Sequence, residues 1–116
     1  MKVTARTLVA ISTIGAALGL ASVNVLAAPD AAAAQALARK SDCLKCHAVD
    51  KTKKAPSYQK IAAKWKGKAD AEAKLVDFVT KGGKVKLEDG TEEDHKIVQT
   101  KDMGEIKNLV GWILSQ

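Results

Sequence analysis

Two thiols and an imidazole stand together in Cys43-Leu44-Lys45-Cys46-His47. Thiols three positions apart can each add to one of the two vinyl groups of a haem, and a histidine directly after the second is then placed beneath the iron. The span between the vinyl groups sets the spacing, which is why the motif is short. Three other chemistries use some of these residues. A redox-active C-x-x-C pair needs no following histidine and sits at a strand-to-helix junction of an α/β fold, a pattern this chain lacks. A structural zinc site takes four ligands. The candidates are Cys43, Cys46, His47 and His95, and adjacent Cys46 and His47 would both have to bind. A Cys43–Cys46 disulfide would staple little and leave His47 unexplained. The motif therefore reads as a c-type haem site, with Cys43 and Cys46 as covalent anchors and His47 as proximal iron ligand.

The rest of the chain fits a cofactor of that size. Its 116 residues include two Trp, one Tyr and one Phe, and much of the hydrophobic fraction is alanine. A small domain with so thin an apolar side needs a staple, metal or cofactor to complete its core. Residues 1–27 read as a cleaved secretory leader: Lys2 and Arg6 lead into an apolar stretch from Leu8 to Leu20, and Val25 and Ala27 stand at the small-residue positions of a cleavage site. The alternative is an uncleaved membrane anchor, since Leu8 to Ala28 nearly spans a bilayer. Ser12, Thr13, Ser22 and Asn24 weaken that reading. Residues 28–116 then form one domain, about 89 residues long. The leader holds two of the 19 basic residues and none of the 13 acidic ones, so the domain keeps four excess positive charges. That balance points to steering toward a protein partner and away from nucleic acid, which an exported protein rarely meets.

Four helices must position the motif. The first spans about Asp30 to Lys40, where a run of alanines favours helix and leads directly into Cys43. A lysine-rich loop, Lys51-Thr52-Lys53-Lys54, ends at Pro56, and Ser57 caps a second helix to about Lys66 with Tyr58, Ile61 and Trp65 on one face. The third, about Ala69 to Lys81, groups Leu75, Phe78 and Val79 and stops at Gly82-Gly83. Gly82 to Lys101 is charged and lacks helical periodicity, with one short extended piece at Val85-Lys86-Leu87; a loop this long is functional or disordered. The last helix starts after Asp102, with Glu105 placed for a capping box, and carries the stripe Ile106, Leu109, Val110, Ile113 beside Trp112.

On these residues the chain resembles the class I c-type cytochromes, in particular the small bacterial monohaem type. The resemblance rests on the Cys43–His47 motif, on Ala55-Pro56-Ser57-Tyr58 after the lysine loop, and on Leu109-Val110-Gly111-Trp112-Ile113-Leu114-Ser115 near the C-terminus. It implies an all-α, small class I cytochrome c fold, about four helices wrapped around one covalently attached haem c. It also implies that Pro56 holds its loop against the proximal side, where a backbone carbonyl orients the His47 ring. The first and last helices would cross, with Trp112 against small alanines of the first. Ala55 departs from the family, which has glycine before that proline. Class II cytochromes carry the motif near the C-terminus and fit less well.

The family further implies a methionine on the distal face, and here the chain departs from it. In relatives that methionine lies roughly sixteen or seventeen residues before the aromatic of the last helix. Met103 is nine residues before Trp112, at the start of the predicted helix, whereas counting back seventeen reaches His95. His95 is the favoured distal iron ligand and Met103 the alternative, with an open sixth position and Lys96 behind them. Against His95 stands the ordinary reading of a loop histidine among Glu92, Glu93, Asp94 and Lys96.

The expected function is that of a periplasmic electron carrier rather than an enzyme. It would be a monomer that passes single electrons between larger redox proteins by transient electrostatic docking, without nucleic acid or stable membrane insertion after cleavage. Lysines crowd the motif and second helix, while Glu88, Asp89, Glu92, Glu93 and Asp94 crowd the distal loop; ordinary solvated surface is the plain alternative. The rival function is a gas-ligand sensor or peroxidase-like enzyme with a displaceable sixth ligand, and a further one is a small subunit of an oxidoreductase complex.

Overall fold

The computed structural model describes residues 28–116, and the leader read at residues 1–27 lies outside them. The first helix, α1 (Ala31–Lys40), starts where the Asp30 carboxylate accepts the Ala33 N–H at 3.0 Å. It ends at Ser41, and the chain turns through Asp42, whose φ of 61° is left-handed. Aspartate tolerates that region better than most residues. The turn feeds a single 3-10 turn, Cys43–Lys45, so the motif begins two residues after the helix ends.

Helix α2 (Tyr58–Trp65) is capped by Ser57 Oγ, which accepts the Lys60 N–H at 3.1 Å. Helix α3 (Ala71–Lys81) closes at Gly82. Helix α4 (Met103–Leu114) starts at Asp102, whose carboxylate accepts the Glu105 N–H at 3.0 Å. The expected capping box is made indirectly. Glu105 accepts from Thr100 Oγ1 at 2.5 Å, and Thr100 Oγ1 in turn accepts the Asp102 N–H at 3.1 Å.

The expected loop from Gly82 to Lys101 contains a two-stranded antiparallel hairpin, β1 (Lys84–Lys86) with β2 (Glu92–Asp94), in the register Lys84 opposite Asp94 and Lys86 opposite Glu92. Opposite charges face each other across the ladder, and Lys84 Nζ lies 3.0 Å from an Asp94 carboxylate oxygen. The short extended piece read at Val85–Leu87 is thus strand β1, shifted by one residue. The helical architecture otherwise stands as expected.

The core sits where α1, α2 and α4 meet: Ala34, Leu37, Ala38, Tyr58, Ile106, Leu109, Trp112 and Ile113, joined by Val98. The alanines of α1 let α4 approach closely. At the edge of that crossing Asn108 clasps the start of α1, accepting the Asp30 N–H at 2.8 Å and donating to the Asp30 carbonyl at 2.9 Å. Among the described residues no helix is long and apolar enough to cross a membrane.

Candidate functional site

The motif folds back on itself through the segment that follows it. Ala55 N–H donates to the Cys46 carbonyl at 3.1 Å and Tyr58 N–H to the Ala48 carbonyl at 2.9 Å. This closes residues 47–57 into a loop whose far end presents the Pro56 carbonyl to His47, and His47 Nδ1 donates to that carbonyl at 2.6 Å. With Nδ1 protonated and committed, Nε2 is left as the lone-pair nitrogen of the neutral ring. The Lys53 ammonium donates to the Leu44 carbonyl at 2.7 Å, pinning the lysine loop to the motif.

Cys43 and Cys46 are both half-buried and are not joined to each other. Burial pushes the Cys43 thiol above its ordinary value. Tyr58, buried at 2% exposure, stacks on the His47 ring with centres 5.2 Å apart and planes 21° apart. It also meets Trp112 edge-on at 5.4 Å. Tyr58 Oη is buried without a hydrogen-bond partner, and burial drives its ionisation well above the ordinary range.

His95 follows β2 directly. Its N–H donates to the Gly83 carbonyl at 2.8 Å, Val98 N–H to the Val79 carbonyl at 2.9 Å, and Gln99 N–H to the buried Ser41 Oγ at 2.9 Å. The hairpin can return this closely because position 82 is glycine: its φ is +71°, and a Cβ there would lie 3.0 Å from the His95 carbonyl oxygen. The His95 ring packs on Phe78 with centres 4.4 Å apart. It lies 6.3 Å from the His47 ring, centre to centre, with planes tilted by 59°.

Burial lowers the pKa of both imidazoles. For His47 the Pro56 carbonyl partly offsets this, and for His95 the nearby His47 adds to it. The neutral form is the one that binds a metal, so two neutral imidazoles set across from each other can hold one iron. The structure thus gathers Cys43, Cys46, His47, Pro56 and His95 at one locus. Met103 is the first residue of α4 and 48% exposed. In the sequence Phe78 is visible only as a member of a helix face, and Tyr58 as that and as the end of the Ala55-Pro56-Ser57-Tyr58 match. Their stacking on His47 and His95 depends on where those faces land.

The family model for cytochrome c matches residues 31–116. The chain belongs to the cytochrome c family. It is 37% identical over 95 residues to cytochrome c-551 of Allochromatium vinosum, covering 82% of this chain and 98% of that one. It is 31% identical to cytochrome c-551 of Pseudomonas aeruginosa, covering 71% and 75%. Among solved structures, the class 1 cytochrome MtoD from Sideroxydans lithotrophicus ES-1 is 57% identical, with a TM-score of 0.72 over 76% of this chain and 97% of that one. The small class I cytochrome c fold, the covalently attached haem c and the role of electron carrier rather than enzyme follow from this membership.

Proposed function

We propose that this cytochrome is a periplasmic shuttle whose haem is anchored by Cys43 and Cys46, with His47 as proximal and His95 as distal iron ligand. A haem held there would supply the redox chemistry, a one-electron exchange, while the chain's own residues anchor and orient it. The observation that carries the reading is the distance between the two imidazoles. Two metal–nitrogen bonds of about 2 Å, with about 1 Å from each nitrogen to its ring centre, add to about 6 Å. The observed separation is 6.3 Å.

The residues fit the group on other grounds. The cysteines are half-buried and not joined to each other, and His47 is held by the Pro56 carbonyl with Nε2 available. Leu44, Val49, Ile61, Val76 and Val79 pack partly buried against the core and supply apolar surface around the site. The protein's part is to fix both rings and keep the site apolar, so that electron transfer demands little rearrangement. Export is supported by the leader pattern in residues 1–27.

Partner contact is assigned to the lysines beside the motif, with the chain acting as a monomer. Lys45, Lys53 and Lys54 are exposed there. The acidic hairpin is less one-sided than its sequence suggests, because Lys84 and Lys86 face its acids. Lys53→Glu with Lys54→Glu should slow reduction by a partner and flatten its dependence on ionic strength; an unchanged rate and salt slope would remove the docking face.

The optical spectrum of the purified protein tests the ligand set. A low-spin haem without the weak long-wavelength ferric band of methionine ligation is expected. Appearance of that band would move the assignment to Met103, and a high-spin spectrum would overturn both.

A further inference from the structure

Helix α2 carries a second cluster at the end away from the motif. Tyr58, its first residue, stacks on His47, and Trp65 is its last, about 10 Å further along at 1.5 Å per residue. The half-buried Trp65 ring draws three ammonium groups: Lys68 Nζ lies 5.2 Å from its centre, and Lys64 and Lys74 Nζ each lie 5.9 Å away. Lys64 and Lys68 stand on either side of a turn at Gly67, whose φ is +75°, and Lys74 comes from α3. The negative face of the indole attracts each cation and so gathers like charges that would otherwise spread apart. Lys74 is also paired, 2.8 Å from an Asp70 carboxylate oxygen. Lys64, Lys66 and Lys68 have no carboxylate partner among the described residues.

Beside the ring runs an open groove of about 600 Å³, with Ala62, Ala71 and Leu114 at its floor and the exposed Gln59, Lys66 and Lys68 along its edge. It shares no residue with the haem site, and Lys45, Lys53 and Lys54 do not line it. A membrane contact would call for large apolar side chains standing proud of the lysines. The large apolar side chains exposed among the described residues are Phe78, Ile97 and Met103, and none of them lines the groove. A concave apolar floor rimmed by unpaired cations fits instead an extended chain that alternates carboxylates with apolar side chains. We propose that the Trp65 groove is a docking site for an acidic, extended segment of a protein partner. Its carboxylates lie on Lys64, Lys66 and Lys68, and its apolar side chains lie over Ala62, Ala71 and Leu114. Because the indole already gathers the lysines, less side-chain freedom is lost on binding. A partner held there uses none of Lys45, Lys53 and Lys54, so tethering and electron exchange take place on different surfaces.

The test titrates the haem-loaded, reduced protein with a short synthetic peptide of alternating glutamate and leucine, following backbone and indole N–H signals by NMR at physiological salt. Saturable shifts are expected at the Trp65 indole and at Lys66, Gly67, Lys68 and Leu114. Lys66→Gln with Lys68→Gln should weaken the peptide about tenfold. Lys86→Gln with Lys101→Gln removes the same charge elsewhere and should leave its affinity unchanged. All four lysines are exposed, so both variants keep the fold. Shifts confined to Lys45, Lys53 and Lys54, equal weakening in the two variants, or no saturable shift overturns the proposal. So does a Trp65 signal that responds to vesicles of anionic phospholipid and not to the peptide, which would make the patch a membrane contact.

Discussion

On the His47 side, the bonds that shape the site run between residues close in sequence: Ala55 to Cys46, Tyr58 to Ala48, and His47 to Pro56. On the His95 side they reach across the molecule, to Gly83 and Val79 in and after α3 and to Ser41 at the end of α1. Local loops lose little entropy on closing, whereas the distal segment is held only after α1, α3 and the hairpin have docked. Regions assembled from distant pieces, with exposed neighbours, belong to the low-stability end of a structure. The proximal half is thus the frame, and the distal half, which carries the proposed ligand His95, is the part that depends on the rest of the fold.

The largest effect should come from deleting the shared anchor. Cys43→Ala with Cys46→Ala removes covalent haem, seen as loss of its mass from the denatured chain, and the thin core then fails to give a cooperative thermal transition. Exchanging the ligands one side at a time comes next. His95→Met should keep a low-spin haem with a higher potential, because thioether ligation raises it. His47→Met should lose low-spin ligation, since that ring's bond to Pro56 is lost with it; equal tolerance on both sides would break the comparison.

Ser41→Ala removes the acceptor of the Gln99 N–H and should cost about 1–3 kcal/mol. Amide exchange should quicken at Val98 and Gln99 and stay unchanged at Ala55. Tyr58→Phe removes a buried hydroxyl that has no partner, so stability should change by less than about 1 kcal/mol or rise, read from denaturant midpoints. Met103→Leu is the smallest change, within about 0.5 kcal/mol and with no change in the absorption spectrum.

The same division explains what could be read from the chain. The attachment motif, Pro56, the Ser57 and Asp102 caps and the α4 stripe are local signals, and each appears where its spacing put it. His95 is singled out only by counting back from Trp112, a regularity of the family rather than a signal of its own. The hairpin was missed although Asp89-Gly90 is a turn pair, because strands of three residues with exposed charge on both faces show no alternation. Gly90 does adopt φ +86°, and Asp89 accepts from the Thr91 N–H at 2.9 Å. Phe78 against His95, and Ser41 beneath Gln99, are contacts between elements far apart in sequence. No local pattern encodes them; they arise only when α3 and the hairpin come to rest.

The Asn108 clasp on Asp30 also makes neighbours of the domain's two ends. The last residue of α4, Leu114, lies six residues beyond Asn108, about 9 Å at 1.5 Å per residue, so a short linker from the C-terminal end reaches Ala28. The hairpin tip at Gly90 is exposed and takes no part in that clasp. A circular permutant of residues 28–116 opened at Gly90 would keep the α1–α4 crossing intact. It would place the new termini in the hairpin that leads into His95, turning that hairpin into the domain's point of attachment to other proteins.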